Sequence, residues 1–281
     1  MIVPVRDAAR TLPALLASLE RQTLARERFE VIVVDNASRD ESGAIAAARG
    51  ARVVQEPVPN RARARNAGAA AADADVFAYT DGDCVAAPTW LETLLRHARS
   101  GNQIFAGAVV TTTSKHPNAV ERFEALWRFN QGAWVKQGWA ATANLCAARE
   151  VHDAVSGFDP AYPHTAEDAD FCVRATRCGY ELGFCAEAVV EHPGEDHLWP
   201  MLKRLFFHGY GSNQAQYRLG YGHRAWRHPG PAIAGDAALR QIGVAPGSLG
   251  RDEWRTMLRL ARLAYGARIL GSLWAEVRRA R

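Results

Sequence analysis

The first hundred residues alternate between runs rich in β-branched residues and stretches with helical spacing, and this alternation restricts the fold more than any other feature. Ile2–Val5 reads as a strand. Thr11 stands as an N-cap before Leu12, Leu15, Leu16 and Leu19, an i, i+3, i+4, i+7 apolar stripe. Phe29–Val34 is nearly continuous in apolar and β-branched residues, as expected of a strand buried on both faces. An Ala-rich helical stretch then ends at Gly50, Ala51–Gln55 reads as a third strand, Ala62–Ala72 as a helix and Val76–Thr80 as a fourth strand. Such alternation implies right-handed crossovers and a mainly parallel sheet with helices on both faces. Ligands collect at the carboxyl ends of strands in these sheets. Val5-Arg6-Asp7, Asp35 and Asp81–Asp83 all fall at such ends, so one cleft is expected to gather them.

The rhythm breaks over residues 104–195. A strand (Ile104–Thr111) and an aromatic stretch (Phe123 to Trp139) are followed by loop-like segments at 138–144 and 156–171. A helix then runs through Cys178 to Gly179, and a final strand, Glu187–Glu191, leads to His192. From Leu198 the pattern is helical, with a Gly/Pro-rich interruption at 220–250. The last helix places Trp254, Leu258, Ala261, Tyr265 and Ile269 on one face, with Arg255, Arg259, Arg262 and Arg268 elsewhere.

Composition narrows the class. With 281 residues, 48% of them hydrophobic and 23% charged, the chain is ordinary for a globular protein with a sizeable core. No apolar stretch reaches the ~18–20 residues that span a bilayer, and no signal peptide is apparent. Five cysteines, odd in number and without zinc-type pairing, suggest free thiols in a reducing cytosol. Charge is uneven: residues 1–200 carry 20 Lys+Arg against 26 Asp+Glu, and residues 201–281 carry 14 against 4. The basic tail points to an anionic partner, which would be a membrane surface, a phosphate-bearing acceptor or nucleic acid; the plainer reading is a solvated helix face. Arginines alternating with an apolar face suit a membrane surface or a partner helix better than nucleic acid, which is not expected to bind.

The chemistry centres on Asp81-Gly82-Asp83. Two carboxylates one residue apart, where a buried strand opens into a loop, can grip a divalent cation that in turn holds a diphosphate. The same triplet is also common turn chemistry, with Gly supplying positive φ. Asp35, ending another buried strand, can accept from a nucleobase or ribose hydroxyl, or cap the following helix. Arg61, Arg63 and Arg65, at spacing two near a helix start, suit phosphate, although not all three can face one ligand. Glu167 and Asp168 open a helix, where acidic residues favour the dipole; a carboxylate there can also serve as a general base. His192 is either structural or completes a metal shell.

In this order and spacing, VPVRDAARTL (3–12), VIVVDNASRDES (31–42), ARARNAGAAAA (62–72), DVFAYTDGDCVAAPTWL (75–91), GWAATANLCAARE (138–150), GFDPAYPHTAEDADFCVRATRCGYEL (157–182) and VVEH (189–192) resemble the family 2 glycosyltransferases. The resemblance covers residues 1 to about 200. It implies a GT-A fold: a Rossmann-like α/β architecture with a mixed, mainly parallel sheet flanked by helices. A nucleotide-binding half would occupy residues 1–100, an acceptor half 101–200, and a basic helical extension 201–281. It also implies inverting transfer from a UDP- or GDP-type nucleotide-sugar donor with Mg2+ or Mn2+. By the same resemblance, Pro4, Arg6 and Asp35 would bind base and ribose, and Arg65 would lie near the phosphates. Asp81 and Asp83 match the DXD motif, with Asp83 the direct metal ligand and Asp81 nearer the ribose or the metal's waters. Asp168 matches the catalytic base, with Glu167 second. Trp139, Thr142 and Asn144 would line the donor-sugar or acceptor pocket, and His192 would touch metal or diphosphate.

Two departures qualify the match. Only four or five residues are left for the first strand, so either that strand is short or the start lies upstream. The QxxRW-type signature of processive synthases is missing, with LKRLFFHGYGSNQ (202–214) only a loose counterpart, so a single transfer to a sugar, lipid-linked or small-molecule acceptor is expected. The expected setting is the cytoplasm, with peripheral contact at the inner membrane face. A nucleotidyl- or phosphoryl-transferase would also pair carboxylates with a nucleotide, but the chain has no Gly-rich phosphate loop. A catalytically silent module of the same fold would not need both acidic elements.

Overall fold

A computed structural model describes residues 1–101, 103–220 and 250–279. Among the described residues the strands are β1 (Ile2–Val5), β2 (Ile32–Asp35), β3 (Arg52–Gln55), β4 (Val76–Thr80), β5 (Val85–Ala86), β6 (Ile104–Thr112), β7 (Asn144–Ala148) and β8 (Leu182–Pro193). The α-helices are α1 (Leu12–Glu20), α2 (Ser42–Ala48), α3 (Arg61–Ala71), α4 (Trp90–Arg99), α5 (Ala119–Trp127), α6 (Gln131–Val135), α7 (Arg149–Ala154), α8 (Glu167–Arg177), α9 (Leu198–Arg218) and α10 (Arg251–Arg279).

One mixed sheet has the order β3-β2-β1-β4-β7-β6-β8-β5. Its first half is parallel: β1 pairs with β2 and β4, and β2 with β3. In the other half β7 runs antiparallel to β4 and β6, and β5 antiparallel to β8. The β1–β4 ladder is confined to Ile2–Tyr79, so Pro4, which has no N–H to give, lies where that side of the sheet has already opened. The second strand begins at Ile32 rather than Phe29, because residues 26–28 turn as a short 3-10 helix. Thr11 stands before α1, but its hydroxyl donates to Ala8 O and caps no helical N–H. Against the sheet, α3 packs so closely that a Cβ on Gly68 would sit 2.5 Å from Ile2 Cγ2.

The chain divides into two compact units. The first comprises Met1–Val110, Asn130–Pro163 and Glu167–His192. Its core includes Ile2, Ile32, Val34, Phe77, Tyr79, Leu145, Phe158 and Phe171, where Tyr79 meets Phe158 edge-on and Phe158 stacks on Phe171. Burying each such side chain stabilises by roughly 1.5–3 kcal/mol.

The second unit comprises Thr111–Phe129, His164–Ala166 and the described part of Pro193–Arg281. It therefore takes in α5 as well as the C-terminal helices, because Phe123 joins Met201, Leu205, Met257, Leu260 and Ala264 in one apolar cluster. An Asn118–Glu121 capping box starts α5. Helices α9 and α10 touch backbone to backbone: a Cβ on Gly209 would fall 1.9 Å from Arg268 O, and one on Gly271 1.8 Å from Phe206 O. This contact sets the face α10 presents. Met257, Leu260, Ala261, Ala264 and Ala275 are buried while Ile269 is exposed, so the buried stripe is rotated from the one the sequence pattern picks out. From α5, Glu124 accepts from its C-cap Arg128 at 2.9 Å and from Arg204 on α9 at 2.6 and 2.7 Å. Burial and the nearby Arg204 push the Arg268 pKa down to about 10. Cys84, Cys146, Cys172, Cys178 and Cys185 are all free thiols. Among the described residues no helix is long and apolar enough to cross a membrane. Most of the Gly/Pro-rich stretch at 220–250 lies outside the described residues.

Candidate active site

All twelve residues singled out from the sequence belong to the first unit, and most gather at the carboxyl end of the parallel strands. Asp81 follows β4 directly, and the turn closes with Cys84 N donating to Asp81 O at 3.1 Å. Gly82 is not in the positive-φ region; glycine fits here because a Cβ would lie 2.8 Å from Val5 Cγ1. The β5–β8 pairing, Val85 opposite Glu191 and Ala86 opposite Val190, then delivers His192 to the turn. His192 Nε2 lies 3.4 Å from Asp83 Oδ1 and 4.0 Å from Asp81 Oδ2.

These groups fit a hard divalent cation. Donor atoms of Asp83, Cys84 and His192 lie within 4.8 Å of one another. Burial, then the charges of Asp81 and Asp83, push the Cys84 thiol up, and it points at Ala143 O, so it stays a neutral wall. Oxygen donors with one imidazole suit Mn2+, and the carboxylates alone suit Mg2+ with waters.

Arg65 links this turn to the acidic pair on α8. Asn60 caps α3 by accepting from Arg63 N, and of the three arginines only Arg65 turns inward; Arg63 reaches Glu56, and Arg61 is exposed. Arg65 Nη1 donates to Glu167 Oε1 at 2.7 Å and Nη2 to Asp81 Oδ1 at 3.5 Å. Its guanidinium also lies over the Phe158 ring, 5.6 Å from the centroid, and its Nε is buried without a hydrogen-bond partner. Burial acts to lower the Arg65 pKa, but Glu167, Asp81 and Asp168 overcome it and hold the pKa above its ordinary value. Arg65 is thus a buried link between Asp81 and the acidic pair on α8.

Glu167 is therefore occupied, while Asp168 keeps an accessible edge although protein surrounds it deeply. Burial first, and then the Glu167 charge, push the Asp168 pKa up to about 7, against the pull of Arg65. Ala166, just before the pair, has φ 82°, a left-handed strain that tends to persist where surrounding structure and function hold it.

The remaining positions take varied roles. Asp35 accepts from Ser38 N at 3.0 Å and so closes the turn after β2 without capping a helix. Arg6 is exposed beside a loop latched by Asp7, whose Oδ1 accepts from Arg39 N at 2.7 Å. Trp139 is half-buried and stacks on Trp134 at 4.4 Å between centroids. Thr142 is buried. Asn144 is fully buried with its side chain saturated: it accepts from Trp90 Nε1 at 2.9 Å and donates to Ala108 O and Ala188 O at 2.8 Å.

Two residues passed over in the sequence also belong here. Gln131 holds the 139–144 loop by accepting from Ala141 N at 2.8 Å and donating to Ala141 O at 2.9 Å. Trp134 supplies the other half of the stacked pair. Both lie in the aromatic stretch, but neither carries a signal beyond its residue type.

The family model described as "Glycosyl transferase family 2" matches residues 1–156. The chain belongs to glycosyl transferase family 2. It is similar to the glycosyltransferase AglE of Haloferax volcanii, 28% identical over 222 residues that make up 76% of this chain and 72% of that protein. Its fold matches that of the mannosyltransferase PcManGT from Pyrobaculum calidifontis, solved with GDP-Man and Mn2+, with a TM-score of 0.67 at 19% identity, covering 97% of this chain and 86% of that one. The fold also matches S. aureus TarS 1–349 solved with UDP, at TM-score 0.53 and 15% identity, over 98% of this chain and 90% of that one. This family 2 glycosyltransferase therefore has the GT-A architecture, a mixed α/β sheet flanked by helices with a helical C-terminal segment.

Proposed function

We propose that this glycosyltransferase moves a sugar, with inversion, from a UDP- or GDP-type donor to the hydroxyl of a sugar, lipid-linked or small-molecule acceptor in a single metal-dependent transfer. The observation that carries the reading is the continuous acidic constellation from Asp83 and His192 through Asp81 and Arg65 to Glu167 and Asp168. Asp83, Asp81 and His192 would hold Mg2+ or Mn2+, which when bound offsets charge developing on the leaving diphosphate.

Pro4, Arg6 and Asp35, at the ends of β1 and β2, face the base and ribose. Arg65 holds Glu167 and Asp81 in place and adds its positive charge from below. Asp168, the carboxylate not tied to a cation, takes the proton from the acceptor hydroxyl. The acceptor oxygen bonds to the anomeric carbon as the bond from that carbon to the diphosphate oxygen breaks, and the nucleoside diphosphate carries away the electron pair. Trp139, stacked on Trp134, offers an aromatic wall to a sugar ring. Thr142 and Asn144 act through the loop they anchor. The proposed setting is the cytoplasm, where the basic C-terminal segment contacts an anionic membrane.

The testing experiment is a thermal-shift and calorimetric panel of UDP, GDP, CDP and TDP, each with Mn2+ and with EDTA. One nucleotide should stabilise the protein only with metal, since a ligand bound by the folded form alone raises apparent stability. Asp83→Asn should lose that response. Unchanged metal-dependent binding by Asp83→Asn would remove its ligand role, and no response to any nucleotide would remove the donor reading.

A further inference from the structure

We propose that the outer face of α10 docks on an anionic lipid bilayer, lying in its interface; the inference rests on the reading of the C-terminal segment as the membrane-contacting part and names the surface that makes the contact. Leu263, Ile269, Leu270, Leu273, Trp274 and Val277 are each at least 40% exposed, with Leu270 at 61% and Leu273 at 51%. At 3.6 residues per turn they share a sector of about 140°, and at 1.5 Å per residue the stripe is about 21 Å long. It lies opposite the buried line of Met257, Leu260, Ala264 and Ala275 that packs within its own unit, so α10 has two apolar faces where a solvated helix needs one.

The charges around the stripe identify its occupant. Exposed Arg255, Arg259 and Arg262 continue the same sector toward the N-terminus, with Arg255 paired to Asp252 at 3.5 Å; exposed Arg278 follows Trp274 by one turn at the other end, and Arg279 turns to the α9 side, where it donates to Asn213 Oδ1. From Trp254 to Arg279 the only carboxylate is Glu276, and it accepts from Asn213 on α9. At the C-terminal end, the Arg278 guanidinium lies 5.4 Å from the Trp274 ring centroid, and that of Arg279 lies 4.8 Å from the centroid of the exposed Tyr217. An apolar strip with arginines at both ends and aromatic rings beneath cationic groups matches a lipid interface: acyl chains take the strip, and anionic headgroups take the guanidinium groups.

A second copy of the chain fits poorly. In a two-fold pairing of this face the same patch meets itself. A parallel arrangement would set the Arg255, Arg259 and Arg262 rows against each other. An antiparallel one would press them onto the partner's leucines and its terminal arginines. Among the described residues the face offers one exposed carboxylate, Asp252, already paired with Arg255 at 3.5 Å, so both arrangements desolvate more guanidinium groups than it can satisfy.

The test uses the full chain in flotation with vesicles of phosphatidylcholine alone and of phosphatidylcholine mixed with phosphatidylglycerol. Binding should require phosphatidylglycerol and weaken with salt. Leu270→Asp/Leu273→Asp, at exposed positions, should weaken it about tenfold or more. Arg255→Gln/Arg259→Gln/Arg262→Gln should weaken it about fivefold per arginine. Circular dichroism and the nucleotide panel on the same variants keep the two readings apart: both variants should retain wild-type melting and nucleotide response. Vesicle binding without any nucleotide response would leave the docking face standing and overturn only the donor reading. No binding to phosphatidylglycerol vesicles, or full binding by the leucine variant, would overturn the docking face. So would a wild-type dimer that the leucine variant dissolves while vesicle binding stays unchanged.

Discussion

Replacing Arg65 with methionine tests how the site is held together. Arg65 and Glu167 meet at 2.7 Å with 3% and 5% of their side chains exposed. Methionine keeps most of the buried volume but removes the charge, which leaves the Glu167 carboxylate in the interior without its cation. Removing one partner of a buried pair destabilises by about 3–5 kcal/mol. The second contact, 3.5 Å to an Asp81 that is 34% exposed, adds little because solvent screens it. In a chain of this size each kcal/mol moves Tm by roughly 2–4 °C, so the variant should melt about 6–20 °C below wild type. The assay is thermal and urea unfolding followed by tryptophan fluorescence, with Arg65→Met/Glu167→Leu measured alongside. Because a buried pair replaced by apolar groups of similar volume is often neutral or better, the double variant should regain most of the loss. An Arg65→Met variant within about 1 kcal/mol of wild type would refute this reasoning. So would a double variant no more stable than the single one.

As the proposed base, Asp168 sets a pH dependence. Only its ionised form is a base, so kcat/KM should rise with pH through about 7, and Asp168→Asn should bind the nucleotide yet lose transfer; a flat profile would contradict this. Its effect on stability runs the other way. The folded state holds this proton more tightly than the unfolded chain, so the stabilisation is full below the ordinary Asp range and is lost as pH rises through about 7, which urea midpoints across that range would show. Glu167→Gln should move the activity limb to lower pH, because it removes a repelling charge and frees Arg65 to pull harder on Asp168. Gly271→Ala should destabilise by about 1–3 kcal/mol or more, since the α9–α10 contact must open, whereas Gly266→Ala, whose Cβ meets nothing within 4 Å, should gain about 0.5–1 kcal/mol. Asn144→Ala should lose about 2–4 kcal/mol by leaving the Trp90 indole N–H and two carbonyls unpaired, and a near-neutral melting curve would show that water replaces the amide.

The parallel half of the sheet was legible because each of its strands is a short β-branched run followed by a helical pattern, and the acidic residues at its carboxyl end could be placed before any coordinates. The antiparallel half was less so. Val85–Ala86 is two residues long and has no periodicity to detect, yet its pairing with β8 brings His192 to Asp83. The buried side of α10 was less legible for a related reason. Its pattern holds two apolar stripes, and the choice between them is made by Gly209 and Gly271, whose missing side chains matter only against the facing backbone. Gly82 shows the same limit: a turn glycine is easy to expect, but its requirement comes from Val5, far away in the chain.

Glu167 and Asp168 show why neighbouring residues of the same chemistry separate in function only through their surroundings. Both are acidic, both open α8 and both suit the helix dipole, so residue type leaves open which of them is the base. The difference lies about a hundred residues upstream, where Arg65 enters from α3 and takes Glu167 at 2.7 Å. That contact engages a Glu167 oxygen; burial raises the pKa of Asp168, and the neighbouring Glu167 raises it further. Asp168 is also only partly buried, as the proposed role requires. One buried arginine therefore distinguishes the two: it engages the first carboxylate at 2.7 Å and leaves the second, with its pKa raised to about 7, to serve as the proposed base.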